Sequence, residues 1–311
     1  MRSVLRAVGL ASFLVAAVLT PLASRAQQPL TVCMAENNPP LSWKSKNNSG
    51  GFDVLLAQAL ADELKRPLQI LWFEPELDKE SSLTLEVNAL LSAGLCDLVS
   101  SYMLYAPALG APSAGKARPP DHEGAKRKRE REFVRLGNLI ASDAYVASPL
   151  AIVLGPNAKD KTIDSLDALR GLRIGTIASS LGGVLLAGYK NGVLRSQVQS
   201  LGLDDDVFAE LEKGSFDVAF APLNKFDAYR NNHPQTALAA SGYLHPFRFN
   251  LGFVAREEQR ELINALNRFL AAAGRQNRLE GLAHEANLTY VAPAAPIVQP
   301  ALTTRTLMQS D

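Results

Sequence analysis

The sequence predicts an α/β protein with parallel, helix-covered sheets, and three observations carry that expectation. The chain has 311 residues, enough for two domains at roughly 150 residues each. Apolar residues make up 47% and charged residues 20%, which excludes wholesale disorder and a collagen-like fibre. Strand-like and helix-like segments alternate along most of the chain, and that order builds βαβ units.

Each element has its own reason. Leu30–Ala35 reads as a strand, and residues 53–65 as a helix with Val54, Leu55, Ala59, Leu60 and Leu64 near helical spacing. Pro67 ends that helix and residues 68–73 resume as a strand. Residues 83–93 read as a helix, Gly94 stops it, and residues 97–101 form a third strand. Residues 133–154 are apolar and β-prone. A second alternating unit follows: 163–169 helical, 172–177 a strand, a Ser/Gly turn, 184–190 helical, 205–213 helical, 217–220 a strand and 223–230 helical. Residues 247–255 read as a strand. The stretch 257–273 is an amphipathic helix carrying Leu262, Ile263, Leu266, Phe269 and Leu270, and a shorter helix covers 277–284.

The formal charge is +1, from 32 Lys and Arg against 31 Asp and Glu, so nothing points to a nucleic-acid partner. The first 26 residues distort even that small number. Arg2 and Arg6 precede an apolar run over 8–20, then Pro21 and the small-residue site Ser24-Arg25-Ala26. This is the layout of a secretory signal peptide cleaved after Ala26, and it predicts an exported, periplasmic protein. The run is too short to span a bilayer comfortably. The remaining chain carries 29 basic and 31 acidic residues, a net of −2.

Export changes the reading of the two cysteines, Cys33 and Cys96. Each lies at a strand candidate, and an oxidising compartment favours pairing them if those strands are neighbours. The alternative is two buried free thiols. Between the third strand and the apolar region lies an insertion, about 105–132, without apolar periodicity. Residues 116–135 hold eight basic and four acidic side chains. That run reads as a solvated loop or as a docking patch for an acidic partner or anionic lipid.

Several stretches taken together resemble bacterial extracellular solute-binding proteins of family 3. They are Leu30-Thr-Val-Cys-Met-Ala-Glu-Asn-Asn-Pro-Pro-Leu-Ser-Trp43, Gly51-Phe-Asp-Val54, Ala89-Leu-Leu-Ser-Ala-Gly-Leu-Cys-Asp-Leu-Val99, Leu166-Asp-Ala-Leu-Arg-Gly-Leu-Arg-Ile-Gly-Thr176, Leu211-Glu-Lys-Gly-Ser-Phe-Asp-Val-Ala-Phe220 and Phe249-Asn-Leu-Gly-Phe-Val-Ala-Arg256. The resemblance covers roughly 30–290 apart from the insertion. It implies a type II periplasmic-binding-protein fold: two lobes, two crossover hinge strands and a ligand cleft between the lobes. On that pattern 27–148 form the first part of lobe 1, 149–246 lobe 2, and 247–290 the rest of lobe 1. The segment 291–311, rich in Ala, Pro and Thr, is expected to be a flexible tail.

The resemblance also implies a role, capture of a small polar or anionic ligand for an ABC-type transporter with a membrane permease. The chain departs from the amino-acid binders at two places. They carry Thr and then Arg after the third strand, where this chain has Leu104 and no Arg. They carry an Asp where this chain has Ala221-Pro222. A bidentate guanidinium and a carboxylate are the means of gripping a zwitterion, so a conventional α-amino acid is not expected. Val32-Cys-Met-Ala-Glu-Asn-Asn-Pro-Pro40 and Gly94-Leu-Cys-Asp97 are similar to the MoxJ/XoxJ-type branch. That branch implies an alternative role, accessory to maturation or activation of a periplasmic PQQ-dependent methanol or alcohol dehydrogenase.

Candidate ligand contacts follow from the rule that open α/β sheets bind ligands beyond the carboxyl ends of their strands. After the first strand come Glu36, Asn37, Asn38 and Trp43; the asparagines equally suit a turn beside Pro39-Pro40, and Trp43 equally suits packing. At the end of the third strand are Ser100, Ser101 and Tyr102. Ser179, Ser180 and Leu181 lie between a strand and a helix, where free N–H groups would hold an anion or where a serine would simply cap the helix. Enzyme readings fare poorly. His122, His233, His245 and His284 show no metal spacing, and no nucleophile elbow, phosphate loop or dinucleotide fingerprint is present. No catalytic residue, metal or cofactor is expected.

Overall fold

The computed structural model describes residues 28–76 and 82–303; the expected signal peptide, residues 1–26, lies outside the described residues. Along the chain, β1 (Leu30–Ala35) leads through a small three-stranded turn into α1 (Phe52–Glu63), then β2 (Leu68–Glu74), α2 (Leu83–Ser92) and β3 (Leu98–Met103). After the insertion come β4 (Leu139–Ala141) and β5 (Val146–Leu154). Then follow β6 (Ile174–Ile177), α3 (Leu181–Gly188), β7 (Val198–Leu201), α4 (Val207–Glu212), β8 (Val218–Pro222) and α5 (Leu223–Asn232). The long β9 (Ala239–Arg256) returns to α6 (Arg260–Arg275) and α7 (Arg278–Glu285).

One continuous path of strands runs β7-β6-β8-β5-β9-β3-β1-β2 and ends on the two-residue strand Asp121–His122. Its centre is the antiparallel pair β5 and β9, the two crossover strands. On one side β1 lies parallel between β2 and β3; on the other β6 lies parallel between β7 and β8. The cores divide the same way. In lobe 1, Leu30, Val32, Phe52, Leu56 and Leu60 meet Ile263, Leu266 and Phe269 of α6 on one face, and Phe73, Leu90, Val99 and Val254 pack on the other. In lobe 2, Ile152, Leu169, Ile174 and Leu186 form one layer and Phe208, Phe216 and Phe226 the opposite one. The molecule is a two-lobed α/β protein of the periplasmic-binding-protein type.

The start of α1 shows how sequence fixes local geometry. Gly51 has φ 117°, and a Cβ there would sit 2.4 Å from the Leu41 carbonyl oxygen, so only glycine passes the chain into the helix. Cys33 and Cys96 form the disulfide, with Cα atoms 5.7 Å apart, next to the register pair Cys33↔Val99 of β1 and β3.

Three elements differ from expectation. Residues 163–169 yield only a 3-10 turn over Leu166–Leu169. β7 is an edge strand that its sequence, Val-Gln-Ser-Leu, does not advertise. β9 begins at Ala239, well before residue 247, and crosses Gly242 and Pro246 by way of register shifts against β5. The insertion is also structured. Lys116–Ala117 pairs with Val134–Arg135, and Asp121–His122 extends the sheet at β2.

Arg131 holds that insertion down. Its guanidinium is buried, donates to the Pro119 carbonyl at 2.9 Å and pairs with Glu76, as does Lys128 at 2.8 Å. Burial pushes the Glu76 carboxyl up, but hydrogen bonds and charge from Lys128 and Arg131 outweigh it and hold it below its ordinary range. Arg131→Met should therefore cost about 2 kcal/mol, below the roughly 3–5 kcal/mol of a broken fully buried pair because Glu76 keeps some solvent contact. An unchanged urea midpoint would contradict this.

Candidate functional site

The cleft opens where the strand ends of the two lobes face each other across β5 and β9. A hollow of about 220 Å³ lies there, lined by Met103, Leu150, Ile177, Leu181, Phe220, Pro222, Phe247 and Phe249, with Ser148, Thr176, Ser180, Gly182 and Ala221 between them. Its walls are apolar. The three hydroxyls among them are already spent: Thr176 donates to the Phe220 carbonyl at 3.1 Å, Ser180 to the Ile177 carbonyl at 2.6 Å, and Ser148 to Asn224 Oδ1 at 3.3 Å. Met103 is 46% exposed, and Phe247 and Phe249 meet edge to face at 5.5 Å. A larger hollow, about 670 Å³, is walled by lobe 2 residues alone, and the Asp167–Lys190 ion pair occupies its charged side.

The expected contacts divide among different places. Ser180 and Leu181 line the hollow. Ser180 Oγ accepts from Gly183 N at 3.1 Å, so this serine caps α3, and Ser179 beside it is exposed in the left-handed region, φ 59°. Asn38 reaches across the cleft: its Oδ1 accepts from Lys225 Nζ of α5 at 3.3 Å. Asn37 and Trp43 pair in the small sheet after β1. The Trp43 ring covers Gly50, where a Cβ would lie 3.0 Å from it. Glu36 joins that turn through its backbone, accepting from Lys44 N at 2.9 Å and donating to Phe73 O at 3.0 Å.

The three hydroxyl side chains at the end of β3 turn into lobe 1 rather than toward the hollow. Ser101 Oγ donates to the buried Asp53 at 2.6 Å. Tyr102 donates to the Ala108 carbonyl at 2.7 Å, and Ser100 is buried beside them. Left-handed backbone at Ser101, φ 54°, directs its side chain toward α1.

Sequence reasoning missed Met103, Phe220, Phe247, Phe249 and Lys225. The strand-end rule would have nominated Met103 and Pro222, and α5 follows Pro222 directly. Lys225 is open to solvent on one side, yet the protein walls crowd it, and that desolvation lowers its pKa from the ordinary lysine value.

The position where amino-acid binders carry their Thr is filled differently here. Leu104 is fully buried, packs where a Cβ on Gly252 would lie 2.9 Å from it, and is flanked by the C-terminal segment. Gln299 N donates to the Leu104 carbonyl and Ala106 N to the Gln299 carbonyl, both at 2.8 Å. The fully buried Asn250 of β9 donates to the carbonyls of Ala294, Pro296 and Ile297. Thr289 bonds Asp227 of lobe 2 through both its N–H and its hydroxyl at 2.8 Å. The described part of the expected tail, residues 291–303, is thus tied to the hinge, because a buried amide must find partners and these carbonyls supply them.

Among the described residues no group of three or more His, Cys, Asp or Glu is placed to hold a metal ion, and no helix is long and apolar enough to cross a membrane.

No protein-family model matches the chain, and no curated protein matches it. Solved structures do. An ancestral cationic amino acid solute binding protein aligns at TM-score 0.57 with 18% identity, over 83% of this chain and 94% of that one. Substrate binding domain 2 of GlnP from Lactococcus lactis, in its open conformation, gives 0.58 and 15%, over 86% and 97%. The L-cystine solute receptor of Neisseria gonorrhoeae, unliganded and open, gives 0.54 and 16%, over 83% and 92%. At these identities the likeness is one of fold: the chain is built as two-lobed binding proteins are built.

Proposed function

We propose that the protein is an exported solute receptor that closes its two lobes on a ligand with an apolar body and presents it to a membrane transporter of the ABC type. The single observation that carries this is the hollow between the lobes, walled by Met103, Leu150, Phe220, Phe247 and Phe249. Such a concavity is the usual form of a small-molecule site. The similar folds named above include a solute receptor and a substrate binding domain, and the Cys33–Cys96 disulfide suits an oxidising compartment. The apolar lining changes the expected cargo from a small polar solute to one with substantial apolar surface. Leu104, Ala221 and Pro222 supply neither a guanidinium nor a carboxylate, so a free α-amino acid is not the favoured ligand.

A thermal-shift screen of organic acids, amines, amides and amino acids against the mature chain tests this. A true ligand at 100 times its Kd stabilises by about 2.7 kcal/mol. If no solute moves the midpoint, the receptor reading fails. The accessory role toward a PQQ-dependent dehydrogenase is the second reading. It is favoured by the disulfide, which joins the two short stretches that resemble that branch. It predicts co-purification with such a dehydrogenase from the periplasm and no response to solutes.

A further inference from the structure

We propose that the insertion carries a docking face for an extended acidic segment of a partner protein, built from Lys116, Arg118, Phe133 and Arg135. None of these residues lines the hollow between the lobes, so the docking face stands apart from the solute reading.

Strand register creates the face. In the two-stranded ribbon of the insertion Lys116 lies opposite Arg135 and Ala117 opposite Val134. Pro119 keeps the preceding Arg118 extended, which carries it to a place beside Phe133. Side chains alternate between the two faces of such a ribbon. Ala117 and Leu136 turn inward and pack with Ala89 of α2. Lys116, Arg118, Phe133 and Arg135 therefore share the outer face. The contacts agree: the Lys116 ammonium lies 5.0 Å and the Arg118 guanidinium 4.1 Å from the centre of the Phe133 ring, which is itself 49% exposed.

The three charges lack a counter-charge. Lys128 and Arg131 of the same run secure the insertion through Glu76, and Glu123 pairs with Lys44 at 3.1 Å. Among the described residues no carboxylate pairs with Lys116, Arg118 or Arg135, and Arg118 Nε is buried with no hydrogen-bond partner. Like charges directly opposite each other destabilise a ribbon. Lys116 against Arg135 is such a pair, and a carboxylate bound between them would relieve it.

Spacing selects the partner. Residues two apart on a strand are about 6.6 Å apart, so alternate residues of an extended segment repeat at the spacing of Lys116 and Arg118. Carboxylates at alternate positions meet both cations at once through charge-assisted hydrogen bonds. Aromatic side chains and arginine are also enriched where protein interfaces are buried. A bilayer fits less well: the face offers one apolar side chain with two cations over its ring, and interfacial binding grows with buried apolar area.

The test is calorimetry on the mature chain with the end-blocked peptides Glu-Thr-Glu-Thr-Glu and Lys-Thr-Lys-Thr-Lys, and with vesicles of phosphatidylcholine and phosphatidylglycerol in equal parts. The glutamate peptide should bind, more weakly as salt is added, and the lysine peptide should not. Lys116→Gln, Arg118→Gln and Arg135→Gln together should weaken the glutamate peptide about tenfold, the combined effect of three exposed ion pairs. The same change at Lys46, Lys159 and Lys161, exposed lysines elsewhere, should leave binding unaltered. Glutamate at positions 116, 118 and 135 should reverse the preference to the lysine peptide, an outcome that a merely unfolded ribbon would not give. Failure of the glutamate peptide to bind, an equal loss in the two glutamine variants, or binding of the vesicles alone overturns the docking face.

Discussion

Replacing Cys33 and Cys96 together by alanine is expected to lower stability by about 4 kcal/mol. The two residues are 63 apart in sequence, and in the chain-entropy model the loss of a cross-link over that length frees the unfolded chain by this amount. The loop contains α1, β2 and α2, so most of the first βαβαβ unit lies inside it. Alanine adds little further cost, because both sulfurs sit in a layer with Phe73, Leu90 and Val99 that remains packed. For a chain of this size the loss corresponds to a thermal midpoint lower by roughly 10 °C. Burial makes a second outcome testable. Cys33 is fully buried and Cys96 nearly so, so a mild reductant without denaturant should leave the bond intact, and thiols should appear only as lobe 1 unfolds. A double variant that melts with the wild type would show that the cross-link constrains nothing.

How far the fold could be read from the chain depended on whether local pattern and tertiary context agreed. α6 was legible because Ile263, Leu266, Phe269 and Leu270 recur at helical spacing and all four are buried. β7 was not, because an edge strand of four residues with a polar Gln-Ser middle carries no apolar run. The first half of β9 was hidden by Gly242 and Pro246, which ordinarily interrupt strands. The site divides on similar lines. Ser180 and Leu181 follow a strand and open a helix, a pattern visible in order alone. The contact between Asn38 and Lys225 joins residues 187 apart, and nothing local to either announces it. The tail read as flexible because Ala, Pro and Thr carry no periodicity; its partners are a single buried amide, Asn250, and the backbone around Leu104, which only the folded chain supplies. The inward turn of Ser101 likewise depends on a buried acid 48 residues earlier.

That acid gives the second large expectation: stability that falls as the pH rises through about 6. Asp53 is the second residue of α1 and is fully buried. Burial pushes its carboxyl up to about 6, against hydrogen bonds from Ser101 and Tyr145 that pull it partly back. Tyr145 donates to it at 3.0 Å and accepts from Ser101 N at 2.8 Å, so the cluster ties α1 to the end of β3 and to the entry of the hinge strand β5. The folded-state value exceeds the ordinary 3.8, so between those limits the folded chain holds the proton that the unfolded chain has released. The contribution is fully present below about pH 4 and is lost as the pH rises through 6, amounting to about 3 kcal/mol across the window. Other carboxyls run the opposite way: Glu76 and Asp217 are held low by cationic partners, so their share is lost on acidification. A single profile would mix these terms. The informative quantity is the difference between wild type and Asp53→Asn, which keeps an acceptor for Tyr145 and removes the titration. Urea unfolding at pH 4.5 and pH 8 should show wild type gaining on the variant by about 2 kcal/mol toward the acid side. A constant difference between the two proteins would mean that Asp53 is charged at both pH values, stabilised by the Ser101 and Tyr145 hydroxyls more than burial opposes it. In that case Asp53→Asn should instead weaken the hinge cluster equally at every pH.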